Sequence, residues 1–140
     1  MNNIDLMNYW KNSADNDYDT IKVLFNGKKY TWSLFVGHLV IEKLLKALYA
    51  KFNKNGPYAP KSHDLLFLAS KIQLDLTEEQ EVLLNTITRF NIDGRYDDYK
   101  NNFYNLCTED YTRNSIKKIE IVRNWLIELL GDESEEKKSE

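Results

Sequence analysis

The chain reads as all-α, an antiparallel up-and-down bundle of four to five helices. Apolar residues recur along most of it at helical rather than alternating spacing. Only two prolines and five glycines interrupt its 140 residues, so long helices are permitted. The link between the first two patterned segments, Lys28-Lys29, is short, which places those two helices antiparallel. There is no internal repeat and no strand alternation. Residues 1–131 are expected to form one helical domain, and residues 132–140 a disordered acidic tail with nothing apolar to bury.

The first helix is expected over about residues 3–26. Leu6, Tyr9, Trp10, Ala14, Tyr18, Ile21, Leu24 and Phe25 repeat at helical spacing, and Asn26-Gly27 offers a stop suited to left-handed backbone. Lys28-Lys29 lead straight into the central segment, residues 30–53, on which the rest is organised. There Leu34, Ile41, Leu45, Leu48 and Phe52 form one apolar stripe, and His38 fills its only gap. Phe35, Val36, Leu39, Val40 and Leu44 widen the stripe, as expected of a helix surrounded by others. Residues 53–60 contain Gly56, Pro57 and Pro60 and read as a loop.

Ser62 is the expected cap of a short helix over residues 63–72, with Leu65, Leu66, Leu68 and Ala69 inward. Thr77 followed by Gln80 resembles a capping box that opens a fourth helix, ending near Phe90 and burying Val82, Leu83, Ile87 and Phe90. Residues 91–98 read as a polar interruption around Gly94. The stretch 99–107 is open between an extended crossover and a weak helical turn. Thr108 is a candidate N-cap for a last helix over residues 109–130, with Ile116, Ile119, Val122, Leu126, Leu129 and Leu130 on its core face and Gly131 ending it.

Charge narrows the function classes. Of 22 acidic and 19 basic groups, the last ten residues hold five and two, leaving 17 of each in the body. A neutral body argues against non-specific duplex binding, which needs a basic surface, but permits a local basic pocket. Cys107 is the single cysteine, so no internal disulfide and no cysteine-based zinc spacing exists. A reducing, cytoplasmic setting is the expectation, with no signal peptide and no membrane span.

Two groups of residues carry chemistry. His38, Glu42 and Lys46 fall at i, i+4 and i+8, one polar line along an apolar rod. His38 is either a buried, hydrogen-bonded core imidazole or a ligand contact in a groove beside Glu42. Glu42 and Lys46 are either a surface ion pair or, if Glu42 is buried, part of a site in which Arg95 is its expected cationic partner. Arg95 follows Gly94 and precedes Tyr96, Asp97 and Asp98. Its planar fork suits phosphate or carboxylate, and Tyr96 or Tyr99 is able to stack on a base. The plainer reading has Arg95 holding the loop to the bundle through Asp93 or Glu42. Adjacent Asp97 and Asp98 read as solvated acids rather than a Mg²⁺ site, so no metal and no cofactor is expected. His63 reads as a contact at the start of its helix, and Cys107 as buried filler.

Four stretches, YWKNSADNDYDTIKVLF, LFVGHLVIEKLLKALY, KSHDLLFLA and FNIDGRYDD, resemble in order and spacing the HEPN family of small α-helical domains. The likeness spans roughly residues 5–130. It implies one of three functions: a nucleotide-binding module or accessory partner of a small nucleotidyltransferase, a metal-independent ribonuclease of a toxin–antitoxin system, or a structural bundle. It also implies a homodimer, which the surplus of aromatic residues favours. The family's ribonucleases carry an arginine and a histidine four to six residues apart. No histidine follows Arg95 at that spacing, and none occurs after His63. The general acid/base is therefore missing from its expected place, which favours the non-nuclease branch, with Arg95, Tyr96, His38, Glu42, Lys46 and Asp98 as candidate ligand contacts.

Overall fold

The computed structural model describes residues 2–53, 56–95 and 97–131, the side chains of 97–99 excepted. Among the described residues there are six helices and no strand: α1 (Asn3–Asn26), α2 (Tyr30–Phe52), α3 (Leu65–Ile72), α4 (Glu78–Arg95), α5 (Asp97–Leu106) and α6 (Glu109–Leu130). The side-chain pairs fix their directions. Phe25 lies beside Tyr30, Asp17 meets Lys43, and Lys46 lies over Trp10, so α1 runs antiparallel to α2. His38 faces Asn91 and Phe35 faces Gly94, which makes α4 antiparallel to α2 as well. Ile119 packs at Gly37 and the Leu130 carbonyl accepts from Lys51 Nζ, so α6 runs with α2. Four long helices thus alternate up and down, and α3 and α5 are short pieces in the connections. The expected architecture holds, with six helices rather than four or five.

Local chemistry accounts for most ends. Asn2 caps α1, its side chain accepting from Asp5 N at 2.8 Å. The capping box of α4 is complete: Gln80 N donates to Thr77 Oγ1 at 3.1 Å, and Thr77 N donates to Gln80 Oε1 at 2.9 Å. Thr108 caps α6 by accepting from Tyr111 N. Two expectations are corrected. The cap of α3 is Asp64, accepting from Phe67 N, while Ser62 Oγ accepts from Asp64 N and tightens the approach. At the end of α1 the left-handed residue is Lys28 (φ 62°), not Gly27 (φ −83°), because a bond from Lys29 N to Leu24 O places the turn one residue later.

The core centres on α2, where Leu34, Val40, Ile41, Leu44, Leu45 and Leu48 are fully buried and His38 sits among them. All five other helices pack against it. Phe52, expected on the same stripe, lies half-exposed in the last turn. Tyr9 is likewise exposed. On α4 the inward residues are Leu84, Ile87, Phe90 and Asn91, whereas Val82 is 60% exposed.

The largest correction concerns residues 91–106. α4 does not stop near Phe90 but runs to Arg95, and α5 begins at Asp97, so the expected eight-residue interruption is mostly helix. Packing overrides the breakers here. Phe90 stacks on Phe103 with ring centroids 6.1 Å apart, Asn91 is buried against His38, and Arg89 pairs with Asp93 across one turn at 2.6 Å. The expected disordered tail, residues 132–140, lies outside the described residues. No helix of the described residues is long and apolar enough to cross a membrane.

Candidate functional site

The polar line of α2 converges with the segment before α3 and the end of α4. Glu42 is buried, with a side chain 6% exposed, so its carboxylate needs compensating partners. It has two. Lys46 Nζ lies 3.2 Å from Oε2, one helical turn on, and His63 Nδ1–H donates to Oε1 at 2.6 Å. Lys46 also lies over the Trp10 ring, 5.0 Å from its centroid, which fixes the far side of the pair against α1. The expected Arg95 partner is therefore replaced by His63 and Lys46. Geometry explains the exchange: Arg95 is exposed at the last residue of α4, while residue 63 comes in directly beside Glu42.

His63 is the residue that sequence reasoning undervalued. Its side chain is 51% exposed, Nδ1 is committed to Glu42, and Nε2 has no partner among the described residues. A half-exposed imidazole oriented by a buried carboxylate is suited to proton transfer or to donating to an anion. The signal in the sequence was indirect: a glutamate inside an apolar helix demands a donor, and His63, close to a helix start, is able to supply one.

His38 is fully buried and resolves as the core imidazole of the two readings. Its Nε2–H donates to the His63 carbonyl at 2.8 Å, and its Nδ1 faces Asn91 Nδ2 at 3.4 Å. Because a carbonyl only accepts, the ring proton sits on Nε2, leaving Nδ1 as acceptor for the Asn91 amide. Burial pushes the His38 imidazole below its ordinary 6.5, and the nearby Arg95 charge acts in the same direction, against the Glu42 carboxylate and the bond to His63. It is a neutral strut, not a proton donor to ligand.

Arg95 lies one turn beyond Asn91 on α4, close enough for its charge to act at His38, and makes no hydrogen bond or ion pair among the described residues. The alternative that it anchors the loop through Asp93 is excluded by the structure, where Asp93 pairs with Arg89. Of the remaining candidates, Tyr96 and the side chain of Asp98 lie outside the described residues. No group of three or more His, Cys, Asp or Glu able to hold a metal occurs among the described residues.

These features define a class: an all-α up-and-down bundle with a carboxylate-backed imidazole and an exposed arginine beside its central helix. The family model for the HEPN domain matches residues 7–130, nearly the whole chain. The chain belongs to the HEPN family. No curated protein and no solved structure matches it.

Proposed function

We propose that this HEPN domain is a binding module that takes the phosphate of a nucleotide or RNA ligand between His63 and Arg95, without ribonuclease activity. The observation that carries the reading is the pairing of His63 Nδ1 with buried Glu42, which leaves the other ring nitrogen without a partner among the described residues. A half-exposed imidazole backed by a carboxylate and a guanidinium with no partner among the described residues are both suited to phosphate oxygens. The missing Arg-to-His spacing supports the non-nuclease branch. As in other HEPN systems, the partners of this reading are a second copy of the chain and a small nucleotidyltransferase. Light scattering at the mass of two chains and recovery of such an enzyme on affinity purification are the expected results.

Calorimetric titration with ATP and with a short single-stranded RNA tests the ligand. Binding of either is expected to weaken about tenfold or more in His63→Ala and in Arg95→Ala, the loss of one charge-assisted bond each. Wild-type protein that binds neither sinks the reading.

One observation favours a second reading, a diverged, metal-independent ribonuclease. His63 has the orientation a general base needs to take the 2′-hydroxyl proton as the O2′–P bond forms and the P–O5′ bond breaks. Cleavage of single-stranded RNA that disappears in both His63→Ala and Arg95→Ala would replace the binding-only reading; RNA left intact eliminates the ribonuclease.

A further inference from the structure

His63 belongs to no helix. It lies two residues before α3, so its backbone has no helical ladder to hold it. What holds it is side chains of α2. His38 and Glu42 stand one turn apart on the same face, and they grip residue 63 at two points. His38 Nε2–H takes the main-chain carbonyl at 2.8 Å, and Glu42 takes the ring at 2.6 Å. One point alone leaves a rotation free; two points set both the position and the direction of the imidazole. The grip is in turn fixed from α4, because the Asn91 amide occupies His38 Nδ1 and so keeps the ring proton on the nitrogen that faces the carbonyl.

We propose that His38 is the positioning residue of this site, a neutral Nε2–H imidazole that clamps the main chain at His63 and thereby presents the His63 ring for ligand. Asn91 selects the tautomer, and Arg95, one turn further along α4, is held in register with His63 through the same contact. The groups facing His38 are Glu42 from its own helix, His63 from the segment before α3, and Asn91 and Arg95 from α4; the bond to the His63 carbonyl and the Glu42 carboxylate favour a charged ring, and the Arg95 charge opposes it. The proposal rests on the phosphate-binding reading for its consequence, but the clamp stands on geometry alone.

The test uses nitrogen-15 imidazole spectra of the full chain together with ATP titrations. In wild-type protein at neutral pH the His38 proton is expected on Nε2, and the Nδ1 proton of His63 is expected as a protected, hydrogen-bonded resonance. His38→Gln keeps an amide N–H donor for the carbonyl and is expected to retain the His63 resonance, with ATP affinity near wild type. His38→Leu fills similar space without a donor; it is expected to lose that resonance and to weaken ATP binding about tenfold, the worth of one lost hydrogen bond in preorganisation. A His38 proton on Nδ1 in the wild type overturns the assignment, whether or not either variant folds. So does His38→Leu with the His63 resonance intact. Absence of ATP binding in every protein defeats the ligand reading instead, while the spectra still decide the clamp.

Discussion

Cys107 shows how burial decides what a side chain is able to do. It is 5% exposed at the end of α5, and burial pushes its thiol up to about 11, with the Asp93 charge adding to the effect. At neutral pH the thiolate fraction is then about one in ten thousand, so a thiol reagent is expected to label the folded protein only through unfolding events, and to label it rapidly in denaturant. Fast labelling of native protein would show that the pocket beside Lys28, Tyr30 and Tyr104, which Cys107 also lines, opens readily. The same accounting applies to Glu42, whose need for a partner was legible in the sequence while the identity of that partner was not. Helical spacing relates residues within a helix, and it revealed Lys46 at i+4. His63 is 21 positions away across a loop with no periodic relation to α2, so only the folded chain brings it to Oε1. Arg95 was the natural guess because its charge is permanent, yet it ends α4 facing outward. The role of His38 was open for a related reason: an imidazole on an apolar face is more often a strut, but a ligand contact stays compatible with the pattern until its acceptor is known.

At the scale of elements, what was readable followed local chemistry, and what was missed followed tertiary packing. The spans of α1, α2 and α6 and the box at Thr77 needed only periodicity and caps. The end of α4 and the whole of α5 did not obey the local signals at Gly94 and its acidic neighbours, because Asn91 and Phe103 find partners on α2 and α4. Two helix ends show the same tension in a form that can be measured. Lys28 and Gln73 both adopt φ 62°, each followed by a residue whose N–H reaches five positions back, Lys29 to Leu24 and Leu74 to Ala69. A side chain in this left-handed region costs about 1 kcal/mol that glycine avoids. Lys28→Gly and Gln73→Gly are each expected to raise unfolding stability by roughly that amount, read as a higher urea midpoint, and a loss of stability would mean the turns differ. The α2–α6 contact supplies the opposite case. A Cβ at Gly37 would lie 2.3 Å from Ile119 Cδ1 and 3.3 Å from Cγ1, and Ile119 is fully buried. Gly37→Ala is expected to destabilise by about 1–3 kcal/mol, overpacking outweighing the better helix propensity of alanine. Ile119→Val alone is expected to cost about 0.5–1.5 kcal/mol, but to recover stability when added to Gly37→Ala, since it deletes the clashing atom. Additive losses in the double variant would place the strain elsewhere.

For the molecule as a whole, the topology was legible because helical periodicity runs along most of the chain and the link at Lys28-Lys29 is short, and its consequence is that every other helix leans on α2. A neutral histidine at the middle of that helix therefore ties global stability to pH. In the native protein, burial holds the His38 imidazole below its ordinary 6.5, whereas in the unfolded chain it titrates near that value. Below it the unfolded state binds more protons than the native state, so stability falls as pH drops, and the loss continues until the native ring itself accepts a proton. The Glu42 carboxylate and the carbonyl of His63 moderate the loss, since both favour the charged ring, and the Arg95 charge deepens it. Urea midpoints of wild-type protein are expected to decline between about pH 7 and pH 5. His38→Gln has no proton to bind at that position, so its midpoints are expected to decline less, and the gap between the two proteins narrows on acidification. That comparison isolates one residue from the many carboxylates that titrate lower. Parallel curves would mean that His38 titrates alike in both states, which a fully buried ring donating to one carbonyl and accepting from one amide does not permit.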